Sequence, residues 1–196
     1  MSSSRVAHVT RIRDPHERHA STHRRVLGAA AQMLDESVRP EVSVPELAAR
    51  ARVAQTALRA HFPSIDAVFA ELYLQHVTAL PLSVDTSAPV AERVGAQLTA
   101  VAVILADRPG LAHACTTALL STGDRAVAAV RARIAAEVRR RLSAALGTGA
   151  WPEVLDTLET LFWGALLQAQ SREIDYRDMT DRLATMVSLV VPEADG

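Results

Sequence analysis

The stretch from Leu47 to Phe62, LAARARVAQTALRAHF, constrains this chain more than any other. Ala and Leu recur at helical spacing on both sides of Arg52, and neither half is long enough to stand alone. The stretch reads as two short helices around a tight turn, the second the size of a recognition helix. It sits in a basic front section. Up to Phe62 there are ten Arg against six acidic residues, with five of the seven His; beyond it, eleven Arg face sixteen acids. The overall charge of −1 conceals this division.

The rest of the composition points to an all-α fold. Of the 196 residues, 49% are apolar and only 4% aromatic. Ala, Leu, Val and Arg dominate, which favours helix over sheet and argues against disorder. All 21 basic residues are Arg, for which a GC-rich coding sequence is the plain explanation. Arg also makes better two-pronged contacts to phosphate and guanine than Lys does. A single Cys, Cys115, excludes an internal disulfide framework and a multi-Cys zinc site. The chain shows no apolar run of membrane-spanning length and no secretory core, so the expectation is a soluble cytoplasmic protein without membrane contact.

Caps and breakers divide the chain. Asp14-Pro15-His16-Glu17 reads as a helix start, with Ser21-Thr22 as a rival, and the helix runs through Val26, Leu27, Ala30 and Leu34 to stop before Pro40. Ser43-Val44-Pro45-Glu46 is a capping box opening a short helix with Leu47, Ala48 and Ala51 inward. A turn at Arg52 leads to a helix over about 54–61, and Ser64 caps a fourth that Pro81 ends. Residues 81–89 read as a linker. Further helices are expected over about 90–106, 109–120, 123–147, 152–171 and 175–191. The organisation expected is a basic arm over 1–19, a three-helix helix-turn-helix domain over 20–80, and a helical bundle over 81–196.

In a helix-turn-helix the second short helix lies in the major groove and shows its first side chains to base edges. Gln55 and Thr56 stand there: Gln can pair with adenine, and Thr can hydrogen-bond or touch the thymine methyl. Arg52 and Arg59 flank them and suit phosphates. Ser43 caps the preceding helix, whose N-terminus can face a backbone phosphate. Spacing alone balances this reading against ordinary polar positions on a small bundle.

The runs HRRVLGAAAQML and SVPELAARARVAQTALRAHFPSIDAVFAEL resemble the TetR family of bacterial transcriptional regulators over about His23 to Val77. The family pattern is roughly TVxxIAxxAGVSxxTLYxHFxSK before an apolar helix. Ala48, Ala51, Val53, Leu58, His61, Phe62 and Ser64 match it. The resemblance implies a DNA-binding region over about Ser43 to Phe62, His61 included. The departures are physical ones. Arg52 stands for the turn Gly, Ala54 for the capping Ser, Ala57 for Thr, Arg59 for the aromatic and Ile65 for the phosphate-binding Lys. Losing the cap costs about 0.5–2 kcal/mol of helix stability. Losing the Lys removes one phosphate contact and its share of the salt dependence.

The resemblance further implies a C-terminal domain for ligand binding and dimerisation. Met179, Leu183, Met186, Val187 and Val190 form an apolar stripe, as do Leu155, Leu158, Phe162, Ala165, Leu166 and Ala169. Two such hairpins can make a four-helix dimer interface, or each can face its own core. A homodimer would place two recognition helices on a palindromic double-stranded operator, about 34–36 Å apart. Candidate contacts to a small hydrophobic effector are His76, His113, Cys115, Thr116 and Trp163; each is also an ordinary core or surface residue type.

Enzyme and metal readings fare poorly. His16, His19 and His23 share a helix face, but in a basic segment solvated His near phosphate is the simpler expectation. No glycine-rich phosphate loop or catalytic carboxylate pair is apparent, and no cofactor is expected. The function expected is a dimeric, ligand-responsive regulator, a repressor binding DNA. The alternative is a helical dimer of the same fold that senses or scaffolds after losing specific DNA binding.

Overall fold

The computed structural model describes residues 15–38, 41–106, 108–171 and 176–191. The arm up to Asp14 and the helix start at Asp175 lie outside them. The described residues form helices and connecting turns, with no strand among them.

Helix α1 (Pro15–Asp35) starts at its proline, where a missing N–H costs nothing. It therefore begins inside the segment 1–19. Helices α2 (Val44–Ala51) and α3 (Gln55–His61) cross its buried face. Val26, Leu27, Ala30 and Leu34 meet Leu47, Ala48, Ala51, Leu58 and Phe62 in one apolar core. Helix α4 (Ile65–Ala79) is capped by Ser64, whose hydroxyl accepts from the Ala67 N–H at 3.0 Å. It buries residues on nearly every face, from Ala67 and Val68 through Leu72, Tyr73 and Val77. That pattern suits a central helix enclosed by α1, α6 and α7.

Five further α-helices follow among the described residues: α5 (Val90–Ala106), α6 (Pro109–Leu120), α7 (Arg125–Leu146), α8 (Pro152–Ser171) and α9 (Tyr176–Val190). Asp124 caps α7, accepting from the Ala126 and Val127 N–H groups at 2.8 and 3.2 Å, and Gly147 ends it. The apolar stripes of α8 and α9 lie in the core of their own chain. Leu155, Leu158, Phe162, Ala165, Leu166, Ala169, Met179, Leu183 and Val187 are all buried within one copy. The expectation that these residues form a dimer interface is corrected: α8 packs on α6, α7 and α9, and α9 packs along α5, and that packing buries them.

One close approach ties the two halves together. A Cβ placed on Gly110, in the first turn of α6, would stand 2.0 Å from the carbonyl oxygen of Leu34 and 2.1 Å from that of Ser37. Glycine alone allows α6 to start directly against the end of α1.

Candidate nucleic-acid interface

The capping box forms as its spacing requires. The Glu46 N–H reaches the Ser43 hydroxyl at 3.4 Å, and the Ser43 N–H donates to the Glu46 carboxylate at 3.1 Å. The Ser43 hydroxyl donates to the same carboxylate at 2.6 Å. These bonds hold the Glu46 carboxyl below its ordinary range. Helix α2 closes with the Val53 N–H on the Ala48 carbonyl at 3.0 Å and the Arg52 N–H on that of Ala49 at 3.1 Å. That paired closure needs a left-handed residue, and Arg52 supplies it at φ 53°, ψ 46°. The guanidinium of Arg25 on α1 donates to the Arg52 carbonyl and buttresses the turn.

Ala54 precedes α3 with no side-chain cap. Leu58 and Phe62 are buried and orient the helix, while Gln55, Thr56 and Arg59 are exposed. Positions 55, 56 and 59 share one helix face, so the structure brings these three together on the outside of α3. Arg52 is exposed at the adjoining turn, and Ser43 is exposed at the start of α2.

His61 stands apart. It is half-buried on the other side of α3, its ring 3.9 Å from that of His19 on α1. Its Nδ1 is buried with no hydrogen-bond partner. Burial, then the nearby His19 and His23, hold its pKa below the usual value. His23 stacks on Phe62 at 4.8 Å. Its pKa is also lowered, chiefly by burial and further by His19 and Arg133, against the opposing pull of Glu71. The side chain of His16 lies outside the described residues, among which no cluster of three metal-ligating side chains occurs.

The effector candidates are distributed over α4, α6 and α8. His76 is half-buried on α4, its Nε2 3.3 Å from an Arg108 nitrogen. Arg108, at the start of α6, also grips the Asp35 carboxylate at 2.9 and 3.0 Å. A guanidinium can only donate, so His76 must accept and stay neutral there. Its pKa is accordingly lowered, by burial first and Arg108 second, with Asp35 opposing. Cys115 is fully buried, bonds to the Phe69 carbonyl at 3.3 Å, and has its thiol pKa pushed up by burial. The Thr116 hydroxyl is buried against the Ala112 carbonyl at 2.5 Å and also bonds Gln170 on α8. His113 is half-buried on α6, and Trp163 packs edge-on against Phe162 at 5.4 Å.

No model of a known protein family matches the chain. It is 41% identical over 179 residues to uncharacterized HTH-type transcriptional regulators of Mycobacterium tuberculosis and Mycobacterium bovis, spanning 91% of this chain and 84% of theirs. The chain belongs to the HTH-type transcriptional regulators. Its fold is that of TetR proteins. A TetR transcriptional regulator from Rhodococcus sp. RHA1 superposes with a TM-score of 0.71 at 22% identity, over 89% of this chain and 97% of that one. A tetR-family regulator from Streptomyces coelicolor is similar at a TM-score of 0.55 and 17% identity, over 87% and 80%. The family places the chain among regulators, not enzymes. No single helix among the described residues is long and apolar enough to cross a membrane.

Reading the sequence missed the arginines that hold the regulator's reading head in place. Arg25 grips the turn, and Arg50 of α2 pairs with Glu36 at 2.6 and 3.0 Å just beyond α1. Arg108 joins the end of α1 to α4 and α6. A composition so rich in Arg gave no signal to separate these from solvated ones. Pairing over 14 to 73 residues of separation is visible only in the fold.

Proposed function

We propose that this regulator is a homodimeric repressor that reads a palindromic operator with α3 and responds to a small hydrophobic molecule bound in its C-terminal part. The observation that carries the reading is the outward face of α3. Gln55, Thr56 and Arg59 are exposed together on a helix whose other side is fixed by buried Leu58 and Phe62. Such a face has the donors and acceptors that base edges complement, and Arg52 and Arg59 supply the phosphate-facing charge. Residues 20–80 serve as the DNA-reading domain and residues 81–196 as the sensing and pairing domain. The second copy docks on the outward face of α8, where Thr157, Thr160, Gly164 and Leu167 recur at helical spacing and are exposed. A Cβ on Gly164 would meet nothing within 4 Å, so a partner helix can approach closely.

The test is fluorescence anisotropy with the DNA flanking the regulator's own gene, against specific and random competitors. Arg59→Ala should weaken binding about tenfold and lower the salt slope by about one. Affinity equal on promoter and random DNA, unchanged by Arg59→Ala at every salt concentration, overturns the reading. It would leave the sensing or scaffolding dimer in its place.

A further inference from the structure

A cleft of about 390 Å³ opens where α5 begins, α7 ends, α8 begins and α9 ends. This pole of the bundle is the one away from the helix-turn-helix, since the opposite ends of α5 and α7 meet the DNA-reading part through Arg108 and Asp124. The cleft's size falls within the range of small-molecule sites. Val90, Leu146, Val154 and Val190 make apolar walls. Arg93 is the one charged side chain among the lining residues. Its Nε is buried and has no hydrogen-bond partner. A donor on a cationic group, cut off from water and left unmatched, calls for an acceptor.

None of the described residues supplies one. Arg93 forms no ion pair among the described residues. Asp85 feels its charge, but the Asp85 carboxylate already accepts from the Ser87 N–H at 2.9 Å and from the Ser87 hydroxyl at 2.6 Å. At the rim stands Trp151, 66% exposed, its backbone pinned by bonds to Gly149 at 2.8 Å and from Leu155 at 3.0 Å.

We propose that this cleft binds a monocarboxylate with an aliphatic or aromatic tail. The Arg93 side chain turns its Nε edge into the cleft, and the carboxylate takes it as a two-pronged, charge-assisted pair. The tail lies along the four aliphatic side chains, and Trp151 covers its outer side. One guanidinium among apolar walls matches a single negative charge better than a phosphate dianion. The site is separate from the effector candidates of α4, α6 and α8, and its occupancy does not depend on DNA binding.

The experiment titrates Trp163→Phe protein, in which Trp151 is the sole indole, with octanoate, hexanoate and 1-octanol in the absence of DNA. Octanoate should shift the Trp151 emission to the blue and saturate. Hexanoate should need roughly fifteenfold more, at about fourfold per methylene. Octanol, with the same tail and no charge, should bind at least tenfold more weakly. Arg93→Met, checked for unchanged helicity, should reduce octanoate to the level of octanol. The comparison of the two ligands on the unmutated arginine stands even if that variant fails to fold. Octanoate leaving the emission unchanged, or titrating like octanol, overturns the proposal. So does an emission that follows protein concentration alone, because a second copy then covers the cleft.

Discussion

Arg52 shows how much a single residue can reveal before any packing is known. It occupies the left-handed turn at φ 53°, a conformation that costs a side-chain-bearing residue about 1–2 kcal/mol. Glycine would relieve that cost while adding about 0.5–1 kcal/mol of unfolded-state entropy. Arg52→Gly should therefore raise the stability by up to about 1 kcal/mol in urea unfolding. A loss of stability would mean that the Arg52 side chain holds the turn by a contact of its own. The histidines give a second prediction. His23, His61 and His76 all have lowered pKa values, mainly through burial. The unfolded chain, with His near about 6.5, then binds more protons than the folded one as the solution is acidified. Their stabilising effect is complete above that value and is lost as pH falls through the folded values. The melting temperature should drop between about pH 7 and pH 5, before ordinary carboxylates titrate. His61→Leu should flatten the drop, whereas a melting temperature constant over that window would contradict it.

Among the elements, α4 depends on a residue far from it in sequence. Arg141 of α7 is 1% exposed, and its guanidinium donates to the carbonyls of Leu80 at 2.5 Å, Val77 at 3.2 Å and Pro81 at 3.2 Å. Its Nε is held by Glu137 at 2.9 Å, and Gln97 of α5 lies 3.5 Å from Nη1. It thus satisfies the orphan carbonyls at the end of α4, where no glycine does so. Arg141→Met should cost about 3 kcal/mol in chemical unfolding, because several buried acceptors lose their donor at once. The exposed Arg140→Met should change stability by less than about 1 kcal/mol. Equal effects would show that Arg141 is replaceable by its apolar stem. The contrast also marks what was legible beforehand. Local signals placed the helices to within a residue or two: Ser43, Ser64 and Asp124 cap helices because their own neighbours supply the N–H groups. Arg139, Arg140 and Arg141 look alike in sequence, and only packing sends the last inward. The apolar stripes of α8 and α9 were equally plain, yet periodicity says that a face is covered without saying by what. The three outward residues of α3 follow from spacing and the buried Leu58. The buried placement of Cys115 and Thr116 and the coupling of His76 to Arg108 do not.

For the whole molecule, the contact between α6 and α1 decides how the front and rear halves are joined. Gly110→Ala would place a methyl carbon inside the carbonyl oxygens of Leu34 and Ser37. Backbone, unlike a flexible side chain, cannot step aside, so the substitution should destabilise by about 1–3 kcal/mol. It should also loosen the Arg108–Asp35 grip, which would appear as faster amide exchange at the end of α1. A variant as stable as the parent would show that the two helices separate without loss. As it stands, the seam leaves no clearance wider than a hydrogen atom. Any lengthwise slip of α6 must push the tail of α1 along with it or pull the seam open. A slip that keeps the seam closed therefore reaches α1 by direct touch, with no hinge needed to relay it.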